Sequence, residues 1–134
     1  MDHSPGFLKL VEEARRDVRE CGIDEVLRRQ AFDEPFHFVD VREDAEFAAD
    51  RAEGSVHIGR GVLERDVERL IPDKDAAIVL YCGGGFRSVL AAESLQKLGY
   101  RSVFSMAGGI RAWRSAGYPL EIGPAPAPPS AARE

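Results

Sequence analysis

The sequence predicts an α/β fold: a central, mainly parallel sheet with helices on both faces, and an extra helix ahead of it. Residues 76–81, Ala-Ala-Ile-Val-Leu-Tyr, form the near-continuous apolar run of a strand buried on both faces. Around that run, strand-like segments alternate with segments whose apolar residues recur at helical spacing. The chain has 134 residues, the length of one domain.

Each element has its own signal. The first helix is expected over 7–20, where Phe7, Leu10, Val11, Ala14 and Val18 share one face and Gly22 stands where a C-cap glycine would. A short helix follows, capped by Asp24 and carrying Val26 and Leu27. Residues 36–41 are rich in β-formers and read as a strand, and 43–49 as a helical turn or two. A short strand over 55–58 precedes a helix over 62–71 that Pro72 stops. After the apolar strand at 76–81 comes Cys82-Gly83-Gly84-Gly85-Phe86, then a strong helix over 87–98 ended by Gly99. A strand over 101–105 and a helix over 110–115 complete the pattern. The organisation expected is an N-terminal helical extension over 1–22, a domain over 23–122, and a Pro/Ala-rich tail over 123–134 that is too poor in apolar residues to pack and is expected to be disordered.

Composition narrows the function classes. Hydrophobic residues are 44% and charged residues 31%, the balance of an ordinary soluble globular protein. No apolar run approaches the roughly 20 residues needed to span a bilayer, and the N-terminus lacks the basic patch and apolar run of a secretory signal. Cytoplasm is the expected location. A net charge of −5 argues against nucleic acid as a partner, since phosphate contacts need a basic surface. Two cysteines, Cys21 and Cys82, are too few for a disulfide framework. With His3 and His37 they lack the close spacing of a zinc site, so no metal is expected.

The chemistry concentrates at Cys82. In open α/β sheets ligands bind beyond the carboxyl ends of strands, which is where this cysteine falls. Three consecutive glycines cost backbone entropy, and they fit a chain that must curl tightly and turn its N–H groups inward around something negative. The following helix adds the partial positive charge of its N-terminus, and Arg87 adds a formal one. A sulfur nucleophile, an anion cradle and a cation therefore lie within Cys82 to Ser88. A Walker phosphate loop is excluded, because the segment has no lysine.

Cys-x-x-x-x-Arg-Ser after a buried strand resembles the active-site loop of the rhodanese (thiosulfate sulfurtransferase) family, in its single-domain type. Val39-Asp40-Val41-Arg42-Glu43 is similar to the family's Asp-Val-Arg motif, Glu46-Phe47 to the Glu-Tyr/Phe that follows it, and Gly108-Gly109-Ile110-Arg111-Ala112-Trp113 to its Gly-Gly-Ile/Val-x-x-Trp motif. The family's Gly-His-Ile-Pro-Gly-Ala is replaced by Asp50-Arg51-Ala52-Glu53-Gly54-Ser55, which keeps only Gly54 and bears on substrate preference more than on fold.

The resemblance implies a double displacement. Thiolate Cys82 would take the outer sulfur of a small anionic donor such as thiosulfate, and the persulfide would pass it to cyanide or a thiol. Gly83, Gly84, Gly85, Phe86, Arg87 and Ser88 would bind the donor and the persulfide. No cofactor is implied. Asp40 and Arg42 are candidates for support of the site, with a salt bridge or loop fastening as the stronger reading. Glu46, His57 and Trp113 read as structural, Cys21 as packing, and Phe86 as either core or docking surface. Two other readings compete. One is a sulfur-carrier or partner-binding module that works with a protein donor or acceptor. The other is a cysteine phosphatase or arsenate reductase, which uses a loop one residue longer, Cys-x-x-x-x-x-Arg.

Overall fold

The computed structural model describes residues 3–124. Its elements run α1 (Pro5–Arg15), β1 (Arg19–Cys21), α2 (Ile23–Ala31), β2 (His37–Asp40), α3 (Asp44–Ala49), β3 (Asp50–Ala52), β4 (Val56–His57), α4 (Leu63–Leu70), β5 (Ile78–Tyr81), α5 (Arg87–Lys97), β6 (Val103–Met106), α6 (Gly109–Ser115) and β7 (Leu120–Ile122). Five strands form one sheet in the order β1-β6-β5-β2-β4, and every neighbouring pair is parallel. The predicted α/β class is the observed one.

The central strand explains the two-layer core. Successive side chains of a strand point to opposite faces. Ile78 and Leu80 accordingly join one apolar cluster with Val11 of α1, Val67 of α4 and Leu95 of α5. Val79 and Tyr81 join the other, with Val26 of α2 and Ile110 and Trp113 of α6. Cys82 continues the Ile78/Leu80 face, so its sulfur lies on the side of α1 and α5. From β2 the chain winds out to β4 and then returns to β5 on the other side of β2. This change of winding direction lies between the strands that end in Asp40 and Tyr81, the kind of switch point where α/β sheets hold ligands.

Three segments depart from the expectations. The first helix ends at Arg15 rather than running to 20, and Arg19–Cys21 leave it as strand β1, in parallel register with Phe104, Ser105 and Met106. Ladder hydrogen bonds and burial of Cys21 outweigh local helix preference there. The second departure is β3 pairing antiparallel with β7, a small separate sheet that the mixed polarity of Asp50-Arg51-Ala52 hides. The third concerns Asp24, which lies inside the first turn of α2 rather than capping it. Its carboxylate accepts the Tyr118 hydroxyl instead. Gly22 is the N-cap. The expectation for the tail falls, beyond Pro124, outside the described residues.

The departure at 50–55 has a local reason too. Arg51 is buried and donates to the carbonyls of Phe47, Gly123 and Pro124, fastening β3 to the end of β7. Gly54 turns the chain at φ +87°, in the region that suits glycine, so it is the residue of this segment whose backbone no other side chain readily replaces.

Candidate active site

Cys82 follows the last residue of β5 and is 1% exposed. Its Sγ accepts backbone N–H hydrogen bonds from Gly85 at 3.2 Å and from Ser88 at 3.3 Å. The donors come from two structural origins. Gly85 reaches the sulfur because the loop curls back through φ +96°, and a Cβ there would lie 3.0 Å from the Gly108 nitrogen. Ser88 reaches it as a first-turn residue of α5, one of the N–H groups that no helical carbonyl satisfies. A side-chain path extends inward from the same sulfur. The Ser88 Oγ lies 3.5 Å from Cys82 Sγ and 2.8 Å from the Ser105 Oγ on β6, and both serines are fully buried. When the sulfur is anionic, the Ser88 hydroxyl can donate to it while accepting from Ser105.

A second glycine pair holds the loop from behind. The Ile110 and Arg111 N–H groups donate to the carbonyls of Cys82 and Gly83 at 2.9 and 3.1 Å. A Cβ on Gly109 would meet those two oxygens at 2.5 and 2.6 Å, so α6 can seat against the loop only with glycine there. This is what the Gly-Gly-Ile-Arg-Ala-Trp segment does: the glycines allow the approach, and Trp113, fully buried, anchors the helix with a hydrogen bond from Nε1 to the Pro119 carbonyl at 2.7 Å.

The sulfur lies at the floor of a cavity of about 590 Å³. Gly83, Gly84, Phe86 and Arg87 line it, as the loop motif suggests. Arg87 is not free, however: its guanidinium grips both carboxylate oxygens of Glu46 at 3.2 and 3.4 Å. Burial pushes the Glu46 carboxyl up, but hydrogen bonds from Arg87 and the Glu43 backbone outweigh it, and its pKa falls below the usual carboxylate value. The same pairing overcomes burial at Arg87 and raises its pKa. Glu46, read from sequence as structural, is thus a wall of the cavity and the partner of its cation.

Arg111 is the residue that sequence reasoning missed. It projects from α6 into the cavity lining, with its guanidinium beside Gly84, and its side chain makes no hydrogen bond or ion pair among the described residues. The signal was in the Gly-Gly-Ile-Arg motif, since a helix seated against the loop by its glycines presents its third residue to the same mouth. Ser105 had no comparable signal, because its proximity to Ser88 arises only from β6 lying beside β5.

Asp40 and Arg42 are brought together, but outside the cavity lining. Both are buried, at 0% and 3% exposure. Arg42 Nη2 lies 2.8 Å from Asp40 Oδ2 and donates to the Asp50 carbonyl at 2.6 Å. The pair ties the end of β2 to the start of β3. His57 stacks on Phe47 with ring centroids 4.7 Å apart, and a ring nitrogen lies 2.7 Å from the Arg42 carbonyl oxygen. Phe86 faces both ways, lining the cavity while packing against the core. Cys21 lies at the end of the edge strand, and burial, with Glu25 beside it, pushes its thiol pKa up to about 11. Among the described residues there is no group of three or more His, Cys, Asp or Glu able to hold a metal ion. No helix among them is long and apolar enough to cross a membrane.

Comparison with known proteins agrees with the motifs. The family profile of the rhodanese-like domain matches residues 23–116. A sulfurtransferase of Allochromatium vinosum is 30% identical over 103 residues, covering 77% of this chain and 94% of its own. Among solved structures, RPA3614 of Rhodopseudomonas palustris, a protein of unknown function described as a possible tyrosine phosphatase, superposes with a TM-score of 0.77 at 27% identity, covering 90% of this chain and 98% of its own. A thiosulfate sulfurtransferase of Pseudomonas aeruginosa superposes with a TM-score of 0.75 at 26% identity over 83% of this chain, though over only 21% of that longer protein.

Proposed function

This chain belongs to the rhodanese-like domain family, and on that premise we propose that it moves sulfane sulfur from a small anionic donor to a thiophilic acceptor through a persulfide on Cys82. One observation carries the reading: two backbone N–H groups, of Gly85 and Ser88, converge on the Cys82 sulfur at the floor of a cavity whose mouth holds Arg87 and Arg111.

The steps follow from that arrangement. The thiolate attacks the outer sulfur of a thiosulfate-like donor. A new S–S bond forms, the donor's own S–S bond breaks, and sulfite leaves with that bond's electron pair. The persulfide carries the same single negative charge as the thiolate it replaces, one atom further into the cavity. Backbone donors of the loop and the Ser88 hydroxyl are preorganised to hold that charge. Arg111 is the cation available to the donor's oxygens, and Arg87, held by Glu46, keeps the wall of the mouth in place. An acceptor thiolate then takes the outer sulfur and restores the Cys82 thiolate. The Asp40–Arg42 pair supports the site indirectly, by fixing the β2–β3 connection that carries the wall residue Glu46.

Loop length favours this reading over a phosphatase. Four residues separate Cys82 from Arg87, and the Gly85 and Ser88 donors already close on a single sulfur atom. A tetrahedral phosphate needs donors arranged around three oxygens instead. Intact mass after incubation with thiosulfate tests the proposal. The expected result is the addition of one sulfur, mapped to Cys82 and removed by excess thiol. A mass unchanged by thiosulfate and by other small anionic sulfane donors alike overturns it.

A further inference from the structure

The N-terminal segment contributes to the wall of the site. His3 and Phe7 line the same cavity as Cys82, although they lie ahead of the matched domain. Their rings and that of Phe86 form one aromatic wall: the His3 centroid is 4.6 Å from Phe86 and 5.1 Å from Phe7, and Phe7 is 6.3 Å from Phe86. The wall is held in place from outside. Arg15 lies over the Phe86 ring at 5.4 Å, itself paired with Glu12 and Glu20, and Phe7 packs against the core beside α5.

Resting on the sulfur-transfer reading, we propose that His3 and Phe7 are specificity-determining residues that favour a sulfane donor carrying an apolar group, such as an organic thiosulfonate, over thiosulfate. One further observation points the same way. The cavity, at about 590 Å³, falls in the range that takes ligands of drug-like size and far exceeds an anion as small as thiosulfate. The apolar group lies against the aromatic wall while Arg111 takes the sulfonyl oxygens. The thiolate of Cys82 then attacks the terminal sulfur, an S–S bond forms as the donor's S–S bond breaks, and a sulfinate leaves with the electron pair.

The test follows the first half-reaction alone, by intact mass, with benzenethiosulfonate and thiosulfate as donors. The quantity read is the ratio of the two second-order loading rates. His3→Ala and Phe7→Leu each lower that ratio on the order of fivefold, the size of one lost ring contact. Phe7→Leu removes the ring but keeps an apolar side chain packed under α1, and a thermal melt verifies that both variants are folded. Leu10→Ala leaves the ratio unchanged, because Leu10, which the helical spacing puts on the apolar face, is exposed in the folded chain. A ratio unmoved by both cavity-lining variants overturns the inference while leaving sulfur transfer standing. Failure of both donors to load the wild type is the separate result that removes the sulfur-transfer reading itself.

Discussion

Cys21 and Cys82 occupy equivalent places in the fold. Cys21 is the last residue of one parallel strand and Cys82 directly follows the last of another; each is buried, and each precedes a helix. The strand of Cys21 is at the edge of the sheet and that of Cys82 in its middle. After Cys21 the chain enters α2 through a single glycine, and the first turn of α2 carries Asp24 and Glu25. After Cys82 it makes a three-glycine curl into α5, whose first turn has no acidic residue and begins with Arg87. Burial and Glu25 push the Cys21 thiol towards staying protonated, whereas the Cys82 sulfur receives two N–H groups. A helix start near a sulfur is therefore not enough to bring N–H donors onto it. The backbone must be bent so that its donors aim at the atom, and the first turn must be cleared of negative charge.

The largest effect is expected from exchanging the two. Cys82→Ser abolishes sulfur loading and turnover, since an alcohol is not ionised at neutral pH and carries no persulfide. Cys21→Ser retains most of both. Turnover with thiosulfate and cyanide reads this directly, and an inactive Cys21 variant beside an active Cys82 variant would break the comparison. Gly109→Ala comes next. Its Cβ collides with the Cys82 and Gly83 carbonyls, so the loop must shift, and a displacement of about 1 Å in a positioned donor costs on the order of a hundredfold in kcat/KM. The equivalent disturbance on the other side, Gly22→Ala, meets no atom within 4 Å and is expected to leave turnover unchanged.

Arg111→Ala is smaller. It removes a partly solvated cation from the mouth, raising the donor KM about tenfold with kcat little affected. Steady-state kinetics over a range of donor concentrations separates the two parameters. The smallest effect concerns alkaline stability. A thiol whose pKa is raised by folding supports the folded state fully below its ordinary value of 9.0, and that support is lost as pH rises towards about 11. Urea midpoints across that interval should fall more steeply for the wild type than for Cys21→Ala, and parallel slopes would show that Cys21 titrates alike in both states.

Which parts of this were legible in the sequence follows from where the physics is local. The apolar run ending at Tyr81, the three glycines and Arg87 are contiguous, so strand, curl and helix start can be read in place. Glu46 pairs with Arg87 across 41 residues, and that pairing depends on where α3 is set down. Arg19–Cys21 continue a helical pattern and become a strand only because β6 lies alongside. His3 is alone in its segment, and nothing ahead of the matched domain announces that it lines the cavity of Cys82. Asp40 and Arg42 were recognisable as a motif, but whether they face the cavity or each other is decided by the turn into β3.

The contact between α6 and the Cys82 loop also gives the molecule an optical gauge. Trp113 is the one tryptophan, fully buried and packed edge-on against Tyr118. It stands one helical turn after Gly109, whose neighbours Ile110 and Arg111 donate to the loop's carbonyls. A strain introduced in the loop by an added sulfur or an added methyl is thus passed to the indole through a short rigid helix. Tryptophan emission is therefore expected to report loading of the site in real time from the opposite face of the sheet, without a label.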